Sequence, residues 1–425
     1  MVRKSKKMPK MPKMPKKNKS KKGGILLGKG SFGYIFGKPR LPCKGETLHE
    51  STKEVSKLFI EDDTDDLNSD KAYKIIEFVQ NLQLESGQNI HDYLLLPSKE
   101  CDIDTEHKIY KQETSNLDEV FESKLVIYPL AKGDLNSIVV KDKKFSFFKK
   151  IMSKLVNIAH GIQILQQNEY IHGDIKMDNC MIHEYSSSND VYKLGDLDTL
   201  GYMDKNTTYP VSHAPEYPCW PFCVILRDFL QEPRGSPIQY HNVPLTPYSD
   251  YCISSFRIII DNILNLINEK LPNSGYISKK RTKTHIKLYI KSILIKIRDE
   301  KIISKKESNY NNWLGPWLNY YNNSLSSDEK IKDLYKRVDT YSFGILILEF
   351  IAKLNNTDVY IDKFGVYYLC LCIIIAANCC IQTDKYNSPK PPIDFKGEVI
   401  DPFVKYLNLS GSDAKQKLIE IVGAQ

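Results

Sequence analysis

Along the 425 residues, the spacing of apolar positions changes from the short alternation of strands to the three-to-four spacing of helices. Residues 24–36 alternate apolar residues with glycines, which predicts a strand–turn–strand hairpin. An acidic stretch with Glu61, Asp62, Asp63, Asp65 and Asp66 reads as a surface insertion. Apolar strand-like patterns return at 72–78 and at 125–130. From 145 to 167, Ile151, Leu155, Ile158, Ile162 and Leu165 line one face of a long predicted helix. Strands come first and helices follow, which predicts an α+β fold with two lobes, a small β-rich one and a larger helical one. Residues 261–306, rich in Ile, Leu and Lys, keep a helical spacing. The apolar run 366–381 is shorter than the ~20 residues of a membrane span and contains Asn378, so a buried helix is expected there.

Composition changes this picture little, at 41% apolar and 26% charged. The ten cysteines show no repeated pair spacing, and with no signal peptide apparent, free thiols are the expectation. Charge matters more. Residues 1–22 carry eleven Lys or Arg and no acid, so the net +8 belongs to this end and the remainder sums to about −3. Its Met-Pro-Lys repeats at 8–16 oppose helix and core burial, so 1–22 is expected to be a disordered basic tail. Such a tail suits contact with nucleic acid, an acidic membrane or an import receptor, and equally a solubilising leader. Lys279, Lys280, Arg281, Lys283, Lys287 and Lys291 make a second basic stretch, for which a solvated helix face is the bland explanation and a docking surface the sharper one.

Phosphoryl transfer needs a backbone cradle for phosphates, a cation on them, and carboxylates that hold metal and orient the attacking hydroxyl. The cradle is Leu27-Gly28-Lys29-Gly30-Ser31-Phe32-Gly33-Tyr34-Ile35, whose glycines let N–H groups approach phosphate. Lys74, ending Ala72-Tyr73-Lys74, is the expected cation. The segment His172-Gly173-Asp174-Ile175-Lys176-Met177-Asp178-Asn179 supplies three roles. Asp174 can orient the hydroxyl, Lys176 can neutralise the transferring group, and Asn179 can offer an amide oxygen to magnesium. Gly195-Asp196-Leu197-Asp198 then offers the metal carboxylate Asp196.

In this order the motifs resemble those of the eukaryotic-type protein kinases over about 24–216 and 336–425. Ala214-Pro215-Glu216 is similar to the segment closing that family's activation loop, and Asp339-Thr340-Tyr341-Ser342-Phe343-Gly344 to the start of its central helix, whose aspartate braces the catalytic loop. The resemblance implies an N-lobe at 24–130 and a C-lobe at 131–425 with a long insertion at 217–335. It also implies Ile127 at the back of the adenine pocket, Leu130 offering backbone groups to adenine and Asp134 near the ribose. Lys176 is similar to its counterpart in serine/threonine kinases. ATP and magnesium are the implied cofactors, with manganese an option if Asp198 joins the metal, and a protein is the implied substrate. The helical partner of Lys74 is Glu85, with Glu77 the alternative.

Several residues depart from the family. Gly173 stands where an arginine usually grips a phosphorylated activation loop, so a phosphate at Thr199, Thr207, Thr208 or Ser212 loses its bidentate partner. No arginine after Arg337 can pair with Glu216. The insertion and the Ile-, Lys-, Asn- and Tyr-rich composition resemble divergent kinases of large DNA viruses, which implies an intracellular protein acting in host cytoplasm or packaged in the virion. Two other classes compete. A small-molecule phosphotransferase of the aminoglycoside or choline type would share His-Gly-Asp alone, and a pseudokinase scaffold would lack one of Lys74, Asp174, Asn179 or Asp196.

Overall fold

The computed structural model describes residues 25–30, 33–47, 53–60, 75, 77–79, 81–115, 117, 121–138, 145–186, 189–203, 250–271, 277–301, 315–321, 327–354, 361, 365–384 and 388–423. Contacts divide the described residues into two units, one drawn from 1–69 and 98–130, the other from 70–97 and 131–425.

The first unit is a five-stranded antiparallel sheet of β1 (Ile25–Gly30), β2 (Gly33–Gly37), β3 (Glu54–Ile60), β4 (Lys99–Asp102) and β5 (Phe121–Pro129), in the order β1-β2-β3-β5-β4. The expected hairpin is present, with Gly30 opposite Gly33 and an irregularity between Leu26 and Gly28. Cross-strand register sorts the side chains onto two faces. Tyr34, Phe36, Leu58, Leu125 and Ile127 form one core cluster. Ile35, Val55, Lys57, Val126 and Tyr128 share the opposite face. A strap, residues 38–47, covers the first face. Leu41 and Cys43 join its cluster, Leu41 N–H donates to Ser56 Oγ at 2.9 Å, and Lys44 N–H reaches Asp102 O on β4 at 2.8 Å. Buried Arg40 anchors the strap through Glu46 at 2.7 Å and Glu54 at 3.0 Å. Ile109 and Tyr110 of α1 (Lys108–Thr114) pack on the same cluster.

Two expectations are corrected here. The thiols are not all free, because the strap carries Cys43 to Cys101 on β4 and the two form a disulfide with a Cα separation of 5.7 Å. And the 72–78 strand is absent where the chain is described, since residues 75 and 77–79 are helical. Ile75 and Phe78 are buried three apart, as on one helix face, and an apolar run this short does not by its pattern separate helix from strand. Lys74 itself lies outside the described residues, as do 61–66.

The second unit is mainly helical. Its core gathers α2 (Phe145–Gln167), α3 (Asp250–Lys270), α4 (Ile277–Lys301), α5 (Ser327–Leu354) and α6 (Gly365–Cys380), followed by a π-helical turn (Phe395–Ile400), α7 (Asp401–Asn408) and α8 (Gly411–Gly423). Helix α2 has the expected bounds; Asn168 Nδ2 donates to Ile164 O at 2.9 Å and Glu169 turns left-handed at φ 61°, which stops it. Helix α6 is apolar all round because it is buried all round but for Asn378, as its length predicts. No helix among the described residues is long and apolar enough to cross a membrane. At Gly344 of α5 an added Cβ would stand 2.8 Å from Ala376 O and 2.6 Å from Cys380 Sγ, so glycine permits the close approach of α5 and α6. Helices α3 and α4, inside the 217–335 stretch, bury Phe256, Ile260, Ile263, Ile290 and Leu294 in this core. Lys287 of the basic stretch caps α3, its Nζ donating to Asn268 O and Leu271 O at 3.4 Å each.

Candidate functional site

The catalytic-loop motif emerges from α2 through β7 (Tyr170–Ile171) and ends in a 3-10 turn (Met177–Asn179) that leads into β8 (Cys180–Ser186). Ile171 and Ile175 are fully buried, so the polar residues around them are held between apolar anchors. Asp339, fully buried in the second quarter of α5 and not at its start, accepts His172 N–H and Gly173 N–H at 2.8 Å each. Burial pushes its carboxyl up to about 6, against the opposing pull of His172 and the two N–H donors. Gly173 has φ 73°, a left-handed backbone in which an L side chain is strained. His172 accepts Asp174 N–H on Nδ1 at 3.2 Å and donates from Nε2 to Gly195 O at 3.0 Å, which fixes its tautomer and ties the loop to the second motif.

Asp174 is held on one side only. Its Oδ2 accepts Lys176 Nζ at 2.7 Å and Asn179 Nδ2 at 2.9 Å, and Asn179 Nδ2 also reaches Asp174 O at 2.8 Å. Its Oδ1 is buried and has no hydrogen-bond partner among the described residues. A buried carboxylate oxygen in that state is costly in a resting fold and suited to accept a hydroxyl proton.

The second motif follows β8 and β9 (Asn189–Leu194). Gly195 N–H donates to Asn179 O at 2.8 Å, which sets Asn179 and Asp196 side by side on adjoining segments. Asp196 is left-handed at φ 57° and ψ 65°, a strained conformation for a non-glycine residue. Asn179 uses its amide nitrogen on Asp174, which leaves its amide oxygen for another partner, and that oxygen with the Asp196 carboxylate is a donor set suited to magnesium. Among the described residues no group of three or more His, Cys, Asp or Glu side chains could hold a metal unaided, so an ion here would complete its shell with phosphate and water. Asp198 lies within a 3-10 turn (Leu197–Thr199), and Thr199 Oγ1 donates to His172 O at 2.6 Å. That hydroxyl is therefore part of the loop's support. The segment continues into β10 (Gly201–Tyr202), paired with β7, where Tyr202 OH donates to Glu169 at 2.8 Å.

Asp134, on β6 (Gly133–Asp134), caps its own turn, its Oδ1 accepting Ser137 N–H at 2.5 Å. Of the glycine cradle, Leu27, Gly28, Lys29, Gly30, Gly33 and Ile35 lie on the hairpin, with Lys29 Nζ 4.9 Å from the Tyr34 ring centroid; Ser31 and Phe32 are outside the described residues. Leu130 follows β5 and spends its N–H on Lys53 O at 2.8 Å. Ile127 belongs to the strap-covered cluster, on the face away from Lys57, whereas Tyr128 lies on the face that Lys57 shares. Glu77 is on a described helical residue and exposed, whereas Glu85 stands in a turn, its N–H bonded to the Gln88 side chain at 3.1 Å. Lys57, which was not singled out from the sequence, is a second lysine to weigh beside Lys74. It lies on the strand next to the hairpin, 8% exposed, opposite Ile35 and Val126. Val55-Ser56-Lys57 within a short apolar run was the available signal. Ala214, Pro215, Glu216, Thr207, Thr208 and Ser212 are outside the described residues, and Arg337 is bound to Asp333 at 2.6 Å and to Lys390 O at 2.5 Å.

Residues 111–220 match the family model of protein tyrosine and serine/threonine kinases. The matched span contains the catalytic loop and the Asp196 motif, and it supports a protein kinase, an enzyme class that uses ATP. No curated protein matches the chain.

Proposed function

We propose that the chain is an ATP-dependent protein kinase that transfers the γ-phosphoryl group of magnesium-ATP to serine or threonine hydroxyls of a protein substrate. The observation that carries this reading is the half-engaged carboxylate of Asp174, with Oδ2 fixed by Lys176 and Asn179 and Oδ1 buried without a partner among the described residues. Oδ1 accepts the attacking hydroxyl and orients it in line, while Lys176 offsets charge on the group in transfer. Asn179 and Asp196 would hold magnesium, which when bound neutralises phosphate oxygens. Lys57, on the strand beside the glycine hairpin, takes the phosphate-binding role that motif spacing assigns to Lys74. The hairpin glycines supply N–H groups to the phosphates.

Most of the rate then comes from positioning and fixed charge. The serine/threonine preference rests on Lys176, and the composition supports a viral kinase acting in host cytoplasm or in the virion. Phosphoamino-acid analysis of a mixed protein substrate after reaction with labelled ATP tests the substrate class. Phosphoserine and phosphothreonine are expected, and phosphotyrosine as the main product would contradict it.

A further inference from the structure

Five cysteines among the described residues are buried and form no disulfide: Cys180, Cys370, Cys372, Cys379 and Cys380. Burial pushes the Cys372 thiol up to about 12 and raises those of Cys180, Cys370 and Cys379, so these are poor nucleophiles at neutral pH. Cys43 and Cys101 differ from them in pairing, in access and in surroundings. Cys43 is 5% exposed, and its Sγ lies 3.9 Å from Arg40 Nη1, a guanidinium itself 1% exposed and shared with Glu46 and Glu54. Cys101, opposite Leu125 near the sheet edge formed by β4, is only partly buried. Besides the disulfide, the strap is fastened to β4 and the residue pair just beyond it by the main-chain bonds of Lys44 to Asp102 at 2.8 Å and of Asp104 to Pro42 at 3.1 Å, and by the solvent-accessible ion pair of Glu46 with Lys99 at 2.9 Å.

We propose that Cys43–Cys101 is a thiol-exchange site at which a small thiol such as glutathione opens and closes the fastening of the strap on the sheet. The incoming thiolate attacks the more accessible Cys101 Sγ and forms a mixed disulfide. The Cys43–Cys101 bond breaks, and its electron pair leaves on Cys43 Sγ as a thiolate beside the Arg40 guanidinium. A second thiolate then attacks the mixed disulfide at the small thiol's sulfur, and the small molecule departs as its own disulfide while Cys101 leaves as a thiolate that takes a proton. Oxidised glutathione reverses both steps. Opening frees the strap over Tyr34, Phe36 and Leu58 and loosens the sheet that carries the glycine hairpin and Lys57.

The test uses the full chain and the Cys43→Ser/Cys101→Ser double variant. Under thiol-trapping isolation, peptide mapping is expected to find 43 linked to 101. Reduced glutathione should lower the wild-type unfolding temperature by roughly 5 °C or more, and oxidised glutathione should restore it. The double variant should start at the lower temperature and respond to neither. Native wild type with both cysteines open to alkylation, or a double variant that responds as wild type does, overturns the proposal. These readouts need no phosphoryl transfer. On the kinase reading, reduction also raises the KM for ATP several-fold with kcat little changed, so failure of that reading and failure of this site are separable.

Discussion

Asp339 accepts the N–H of Gly173 at 2.8 Å from the interior of α5, with no solvent contact. Burial holds its carboxyl near 6, above its ordinary 3.8, so the folded state binds this proton more tightly than the unfolded chain. The stability it contributes is present below about 3.8 and is lost as pH rises through about 6. Activity should run the other way, because protonation turns one acceptor oxygen into a donor facing an N–H. Turnover is expected to fall about tenfold per pH unit below 6, with no fall in unfolding temperature traceable to Asp339. A pH–rate profile of wild type and Asp339→Asn checks this: the variant should be slow throughout and lack that limb. Identical profiles would remove Asp339 from the account.

Lys57 and Lys74 make competing claims on the nucleotide phosphates. Lys57→Met should reduce turnover by about a hundredfold or more, since a fixed cation on the phosphates supplies several kcal/mol. Lys74→Met should stay within a few-fold of wild type. Steady-state kinetics of both variants, with circular dichroism to confirm folding, decide it. The reverse ranking restores Lys74.

Gly173 removes the phosphate-gripping guanidinium and also relieves the strain of φ 73°. Gly173→Ala should therefore destabilise by roughly 1 kcal/mol, measured by denaturant unfolding. With Thr199 already bonded to His172 O, activity should not depend on activation-segment phosphate. Phosphatase-treated protein and Thr207→Ala/Thr208→Ala should keep wild-type turnover. Loss of activity in both, recovered by acidic replacements, would contradict this.

The elements legible in the sequence are those whose signal is local. The β1–β2 hairpin declares itself by its glycines, α2 by one apolar stripe, and α6 by a run too short to span a membrane yet too apolar to be exposed. The ordering of His172, Asp174, Asn179 and Asp196 was legible because chemistry fixes their residue types. Strand β3 was not. Its Val55, Lys57 and Phe59 and its intervening Ser56 and Leu58 are all buried, so neither face reads as polar and no alternation appears. The next apolar run, at 72–78, drew the strand assignment instead, though residues 75 and 77–79 are helical. The Cys43–Cys101 pair was hidden for a different reason: 58 residues separate the two, and only the path of the strap across the sheet brings them together. The burial of helices α3 and α4 was not legible because it depends on α5 and α6, which follow later in the chain.

The most direct measurement is transfer of labelled phosphate from magnesium-ATP to a generic protein substrate by wild type and by Asp174→Asn. Asparagine keeps the size of the side chain and replaces one carboxylate oxygen by an amide that cannot accept the hydroxyl proton. The wild type should phosphorylate the substrate, and the variant should be slower by about a thousandfold or more while unfolding at a similar temperature. Near-equal rates for the two proteins would contradict the role of Asp174 and, with it, the proposed mechanism.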